Sequence, residues 1–294
     1  MGEREQTFIS FQDKWEQNRQ LAFDETTKEG SDIFNWILTR NGFKTSGELS
    51  QYLKTKRRIL DAGCGNGRVT ALLHAHAAPT ADLMGIDLTA AEVAHENLKN
   101  YDRVSVRQKD LLEDLSDLGE FDFIYCQEVL HHTVDPKAAF LNLCGRLAKD
   151  GEIAIYVYKL KAPMREYADD YIRDKISGLP YEQAMASMRE VTDLGKVLSE
   201  LSIKVNVPNV KVLDIPAGEY DIQRLMYHFF LKCFWNPDLS YEDNVAINYD
   251  WYHPQLCTRH TLEEIQGWFE DAGLSVVHQC VDYYGITMRG VRAV

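Results

Sequence analysis

Apolar and polar positions follow two rhythms along this chain. Short apolar runs recur at residues 57–62, 82–87, 103–109, 121–126 and 151–158, and each reads as a strand. Between them, apolar residues recur at helical spacing near 67–77, 90–99 and 136–148. Strands alternating with helices predict βαβ units and a mostly parallel sheet. Right-handed crossovers then set the C-terminal strand ends along one edge, where ligands bind if the strand order reverses. Upstream, residues 3 to 55 read as helices whose apolar faces carry Trp15, Phe34, Trp36, Ile37 and Leu38. From 160 to 256 the alternation stops. That stretch reads as helices and loops without strands, broken by "GLP", "NVPN", "DIPAG" and "WNPD". The pattern returns with a helix at 261–272, opened by the capping-box pair Thr261 and Glu264 and stopped by Gly273. Strands at 275–281 and 283–289 follow.

The predicted class is therefore α/β. The expected organisation is an N-terminal helical cap (1–55), a core (56–159), a large helical insertion after the fifth strand (160–256) and a C-terminal completion of the sheet (257–294). No internal repeat or low-complexity segment interrupts it.

The stretch "ILDAGCGNGRVT" joins the first strand to the first core helix. Its glycines, Gly63, Gly65 and Gly67, are spaced G-x-G-x-G, whereas the dinucleotide fingerprint needs a glycine where Arg68 stands. Asp61, two residues before the first glycine, would repel a pyrophosphate on the helix N-terminus and attract a cation. S-adenosylmethionine lacks phosphate and carries an ammonium, so the charge favours it over a nicotinamide dinucleotide. Asp87, at the end of the second strand, can accept from ribose hydroxyls. Asp110, after the third, can accept from an adenine amino group.

With "LDAGCGNGR", "GIDLT", "KDLLE", "FDFIYCQEVLHHTVDP" and "RLAKDGEIAIYVY" in place, the chain resembles the class I S-adenosylmethionine-dependent methyltransferases over residues 56–159, with a weaker match at 258–290. The resemblance implies a Rossmann-like seven-stranded sheet with the last strand antiparallel. It places Asp61 and Gly63 at the methionine moiety, Asp87 at the ribose, Asp110 and Leu111 at the adenine, and Gln127 and His132 at the methyl-donor end. The expected cofactor set also takes in Cys64, Gly65, Asn66 and Gly67 of the turn, Leu88, and Trp15 from an N-terminal helix that either packs on the core or closes over the ligand. Cys64 is expected as a packing residue.

A sulfonium methyl is already activated, so the protein mainly positions an acceptor and excludes water; a base is needed only if the acceptor must lose a proton. His131 and His132 are the first candidates for it, although adjacent residues are not expected both to point inward. Tyr158, with Tyr156 and Lys159, ends the fifth strand at the same edge. In the insertion, Met164, Tyr167, Tyr171 and Ile172 form one stripe. It reads foremost as a core face, and alternatively as a lid offering Tyr167 and Tyr171 to the sulfonium. "NYDWYHP" brings Asp250, Trp251, Tyr252 and His253 together as a pocket wall, with Asp250 and Tyr252 as candidate catalytic groups, or as a packed loop. Arg259 is a candidate for binding a carboxylate or phosphate; Arg165 and Arg224 are weaker candidates for the same role, with surface placement the default expectation. "LMYHFFLKCFW", 225–235, reads as a buried helix, with a homodimer interface as the alternative. His74 and His76 face different sides of their helix, and no metal site is expected.

Composition narrows the partners. The net charge is -13 over 294 residues, which argues against a nucleic-acid partner. No apolar run is long enough to span a membrane. The N-terminus lacks a signal-peptide core, and Gln6 stands where a myristoylation motif wants Ser or Thr. The six cysteines form no C-x-x-C pair, which suits reduced thiols in the cytoplasm. The reading is a cytoplasmic methyltransferase acting on an oxygen or nitrogen of a small polar metabolite, sugar-like, amino-acid-like or natural-product. The alternatives are cyclisation or cleavage of S-adenosylmethionine or transfer of its aminobutyryl chain, then tRNA or rRNA modification, then an inactive cofactor-binding subunit.

Overall fold

The computed structural model describes residues 2–292; Met1 and residues 293–294, the outer ends of the first and last predicted segments, lie outside the described residues. In chain order the elements are α1 (Glu3–Gln17), α2 (Phe23–Thr27), α3 (Asp32–Arg40), α4 (Ser46–Leu53), β1 (Arg58–Ala62), α5 (Arg68–His76), β2 (Asp82–Asp87), α6 (Ala91–Leu98), β3 (Val104–Gln108), β4 (Phe121–Gln127), α7 (Pro136–Cys144) and β5 (Leu147–Tyr158). Then come α8 (Pro163–Ile176), α9 (Tyr181–Glu200), β6 (Lys204–Val207), β7 (Gly218–Asp221), α10 (Ile222–Phe229), α11 (Tyr241–Tyr252), α12 (Leu262–Asp271), β8 (Leu274–Val281) and β9 (Gly285–Arg292).

The chain divides into two compact units. One runs from Trp15 to Lys159 and resumes at Thr258; the other joins the segment ending at Lys14 to Leu160–Cys257.

The first unit is a seven-stranded sheet in the order β3-β2-β1-β4-β5-β9-β8. β1 to β5 pair in parallel, and β9 runs antiparallel to both β5 and β8. The order reverses between β1 and β4, which makes their C-terminal ends the switch point. Alternation along each strand feeds two cores. Leu60, Ile124 and Cys126 join Phe140, Leu143, Trp268 and Phe269 on one face. Ile59, Phe123 and Tyr125 join Phe34, Ile37, Leu49 and Leu53 on the other. Both faces are therefore covered by helices, as parallel sheets require. Side-chain caps fix several helix starts: Ser31 for α3, Thr45 for α4 and Asp135, followed by Pro136, for α7. α7 stops at Cys144, short of the predicted 148, and β5 begins at Leu147.

Thr261 caps α12 through Glu264 N–H at 3.2 Å, and Gly273 takes φ +65° after its end. The capping box is only half made. The Glu264 carboxylate lies 2.9 Å from His260 Nδ1 instead of reaching back to Thr261 N–H.

The second unit holds α8 to α11 and a two-stranded hairpin, β6–β7. That hairpin corrects the expectation of no strands here. "KVNV" and "GEYD" are four residues each and half-exposed, so neither shows an apolar alternation. Within the 225–235 run, helix α10 ends at Phe229, so the run is not one buried helix. The largest correction concerns α8. Met164, Tyr167 and Tyr171 are exposed, Tyr167 to 71% and Tyr171 to 56%. The buried face is Arg165, Asp169, Arg173 and Ile176. The apolar stripe faces out because the opposite stripe is an ion network.

Candidate functional site

Within the sheet unit, β1 to β4 run in parallel and deliver the predicted residues to one edge. Asp61 lies in β1, Asp87 ends β2, Asp110 follows β3 and Gln127 ends β4. After β1 the chain turns through Gly63, Gly65 and Gly67, with φ of +78°, +55° and +89°. Gly63 and Cys64 both donate main-chain N–H groups to Ile86 O, at 2.7 and 3.0 Å, which ties the turn to β2. A side chain cannot be added here. A Cβ at Gly63 would meet Val129 Cγ2 at 2.2 Å, and one at Gly65 would meet Trp15 Cζ2 at 2.7 Å. Trp15 thus lies on the glycine turn. Cys64 is buried, its thiol pushed well above its ordinary range by burial and then by Asp87 and Asp61. It is a packing residue, not a nucleophile.

The acids are held in different ways. Asp61 is buried and accepts from Thr70 Oγ1 at 2.6 Å. Burial pushes its pKa up to about 7; the Thr70 hydroxyl opposes this and the Asp87 charge adds to it. Asp87 is a clamp. Its Oδ2 accepts from Gly65 N–H at 2.9 Å, and its Oδ1 accepts from Thr89 N–H and Ala90 N–H, both at 2.8 Å. Asp87 therefore organises the entry to α6, whose N-cap position is Ala90. Asp110 Oδ1 accepts from Leu112 N–H at 2.9 Å, and Leu111 O accepts from Asn142 Nδ2 at 3.0 Å. Leu88 O accepts from Gln108 Nε2 at 2.8 Å. Asn66 turns its amide away from the edge, donating to Arg19 O and Leu21 O at 3.2 and 3.1 Å.

At the end of β4, Asn41 Nδ2 donates to the Tyr125 hydroxyl at 3.2 Å, and that hydroxyl donates to Gln127 Oε1. Glu128 then adopts φ +60°, costly for a residue with a Cβ, and its carboxylate lies 3.8 Å from Arg68. A 3-10 turn, Leu130–His132, follows. It buries both histidines, which corrects the expectation that only one could point inward. Their ring centres are 4.3 Å apart, and His131 stacks on Tyr158 at 3.6 Å. His131 Nδ1 also accepts from Tyr158 N–H at 3.4 Å. That contact engages one of its two ring nitrogens.

Residues 53–198, about half of the chain, match the family model described as a methyltransferase domain. The chain belongs to the class I S-adenosylmethionine-dependent methyltransferases. A ubiquinone biosynthesis O-methyltransferase of Methylococcus capsulatus is 37% identical over 99 residues, 32% of this chain and 40% of that protein. An uncharacterized protein of Synechococcus sp. is 42% identical over 106 residues, 34% of this chain and 25% of that protein. The chain thus spans less than half the length of these curated relatives. Among solved structures, PKMT2 from Rickettsia typhi shares the fold, with a TM-score of 0.55 and 13% identity over 84% of this chain and 52% of that one.

The sheet unit holds Trp15, Asp61, the glycine turn, Asp87, Leu88, Asp110, Leu111, Gln127, His131, His132 and Tyr158. The remaining predicted residues belong to the other unit. Tyr167 and Tyr171 stand on the exposed face of α8. Asp250 accepts from Lys14 Nζ at 2.6 Å. Tyr252 is fully buried, its hydroxyl 2.9 Å from both Asp169 Oδ1 and Lys232 O. Trp251 Nε1 donates to Asp169 Oδ2 at 2.8 Å, and His253 stacks on Tyr249. "NYDWYHP" is thus largely a packed network. Arg165 is fully buried, against its expected surface placement.

Three residues beside the histidine turn were missed. Thr258 donates its N–H to His131 O at 2.8 Å and lies 2.9 Å, through Oγ1, from His260 Nε2. His260 N–H donates to Tyr158 O at 2.9 Å, and Glu264 faces its Nδ1. The only local signal was Glu264, and it pointed to a cap. All six cysteines are free thiols, and no group of His, Cys, Asp and Glu among the described residues is arranged to hold a metal ion. No helix among them is long and apolar enough to cross a membrane.

Proposed function

We propose that this protein transfers the methyl group of S-adenosylmethionine to an oxygen or nitrogen of a small polar acceptor. The observation that carries the reading is Asp61. It is a buried carboxylate beside a glycine turn, with hydrogen-bond donors only from Thr70 among the described residues and a pKa pushed up to about 7. Such a group is stabilised by an ammonium and would reject a pyrophosphate. The cofactor supplies a methyl already activated by its sulfonium.

The chain's residues would divide the remaining work. Asp61 binds the ammonium. The glycines let the backbone approach closely. Asp87 Oδ2, which accepts from Gly65 N–H, has capacity left for a ribose hydroxyl. Asp110 and Leu111 hold the adenine, and Trp15 shields the turn. Gln127, His132 and Tyr158 flank the methyl end, and His131 positions Tyr158. The curated relatives named as O-methyltransferases favour oxygen as the acceptor atom.

The test incubates purified protein with S-adenosylmethionine alone and resolves the nucleosides by mass spectrometry. Bound cofactor without turnover is expected, followed by S-adenosylhomocysteine release in a metabolite screen. Methylthioadenosine forming faster than without protein would overturn methyl transfer.

A further inference from the structure

Three polar side chains run in series from the end of α3 to the end of β4. Asn41 follows α3, Tyr125 lies within β4 and Gln127 ends it. Asn41 Nδ2 donates to Ile37 O at 2.8 Å and to the Tyr125 hydroxyl at 3.2 Å. The Tyr125 hydroxyl donates in turn to Gln127 Oε1. The direction of the series is not free. Ile37 O is a carbonyl and can only accept, so the Asn41 amide must turn its Nδ2 that way. The opposite amide orientation would set Asn41 Oδ1 against that carbonyl. The chosen one leaves Asn41 Oδ1 buried without a hydrogen-bond partner among the described residues. A hydroxyl that accepts from Asn41 has its one hydrogen left for Gln127. That hydrogen stays in place, because burial pushes the Tyr125 pKa far above its ordinary range; the Asn41 hydrogen bond opposes this, and the charges of Asp61 and Glu128 add to it.

The series fixes an amide that would otherwise rotate. Gln127 Oε1 is committed to Tyr125, and its Nε2 has no hydrogen-bond partner among the described residues. Gln127 is half-buried, and its Nε2 is not sealed in the core. Register gives its place. Asp61 pairs with Tyr125 across β1 and β4, and side chains two apart on a strand share a face. Asp61, Tyr125 and Gln127 therefore stand on one face of the sheet. Gln127 is the nearest of the three to the edge where His131, His132 and Tyr158 lie.

Resting on the reading of this edge as the methyl-transfer site, we propose that Asn41 and Tyr125 are positioning residues that hold Gln127 Nε2 as a fixed donor toward the methyl acceptor, and that this donor selects an oxygen acceptor over an amine. The lone pairs decide it. A hydroxyl oxygen has two, so one accepts from Gln127 while the other attacks the methyl group. A neutral amine nitrogen has one, and accepting from Gln127 occupies the pair that must attack. An ammonium has none and meets only another donor. In the transfer, the acceptor oxygen bonds to the methyl carbon as the carbon–sulfur bond breaks. Sulfur keeps that electron pair as a thioether, and the hydroxyl proton leaves to solvent.

Calorimetric titration of the full chain tests this with two probes, S-adenosylhomocysteine and sinefungin, an analogue in which an amine-bearing carbon replaces the sulfonium and its methyl group. The sinefungin ammonium stands where the methyl group would, so a fixed donor disfavours it. Tyr125→Phe removes the hydroxyl and frees the amide to turn Oε1 outward. The ratio of sinefungin to S-adenosylhomocysteine affinity should then rise by about threefold to tenfold. It should rise by less in Asn41→Ala, and not at all in Tyr52→Phe, which removes a hydroxyl from a ring packed on Phe123 of the same face. General loosening of the fold lowers both affinities alike and leaves the ratio where it was. An unchanged or lower ratio in Tyr125→Phe overturns the proposal and leaves the cofactor reading intact. Failure of the unaltered protein to bind S-adenosylhomocysteine overturns that reading and the proposal with it.

Discussion

Asp61 in the sheet unit and Asp169 in the helical unit are both buried carboxylates, yet their surroundings differ in kind. Asp169 has four donors from four residues, a guanidinium among them. Asp61 has Thr70 and a nearby like charge, Asp87. The first acid is satisfied by its own fold. The second is left in deficit, and that deficit is what a bound cation would fill. Burial alone therefore does not mark a functional acid; burial with too few donors does.

Breaking the satisfied acid should cost most. Asp169→Ala leaves Arg165 buried without its counter-ion, so urea unfolding should show a loss of about 3–5 kcal/mol. Gly63→Ala comes next. It forces a side chain into a left-handed turn and against Val129, and should lose about 2 kcal/mol in the same assay and most cofactor binding by calorimetry.

Asp61→Asn should give two opposite effects. Affinity for S-adenosylhomocysteine should fall at least about tenfold, while the ligand-free protein gains on the order of 2 kcal/mol, because a costly buried charge is gone. A stability loss with unchanged affinity would make Asp61 an ordinary structural residue like Asp169. The pH dependence sharpens the same contrast. Asp61 binds its proton more tightly folded than unfolded, so its contribution to stability is full below about pH 4 and is lost as pH rises through about 7. Cofactor affinity should run the other way, weakening as pH falls below about 7, and the Asn variant should lose this dependence. The smallest effect is Tyr167→Ala, within about 0.5 kcal/mol by thermal unfolding, since its side chain is exposed.

The two regions also differed in how far the sequence revealed them. The strands, the glycine turn and Asp61, Asp87 and Asp110 follow from local periodicity and turn chemistry, which a linear reading captures. The α8 network does not. Asp169 meets Trp251 across 82 residues, and no nearby pattern announces an ionic buried face. Helical periodicity ranked Met164, Tyr167 and Tyr171 inside because they were the greasier stripe. His131 and His132 misled for a smaller reason, since outward and inward alternation has no force in a 3-10 turn that is buried all round.

The chain order of the helical unit has a consequence for biosynthesis. Gln6, near the start of α1, donates to His253 O at 2.8 Å and accepts from Gln255 N–H at 2.8 Å. Those partners are translated 247 and 249 positions later. At ordinary elongation rates the first helix waits roughly 10–50 s for them. The helix that holds Gln6 is thus among the last parts of its unit to be seated, and a nascent chain stalled before residue 250 would carry that helix undocked.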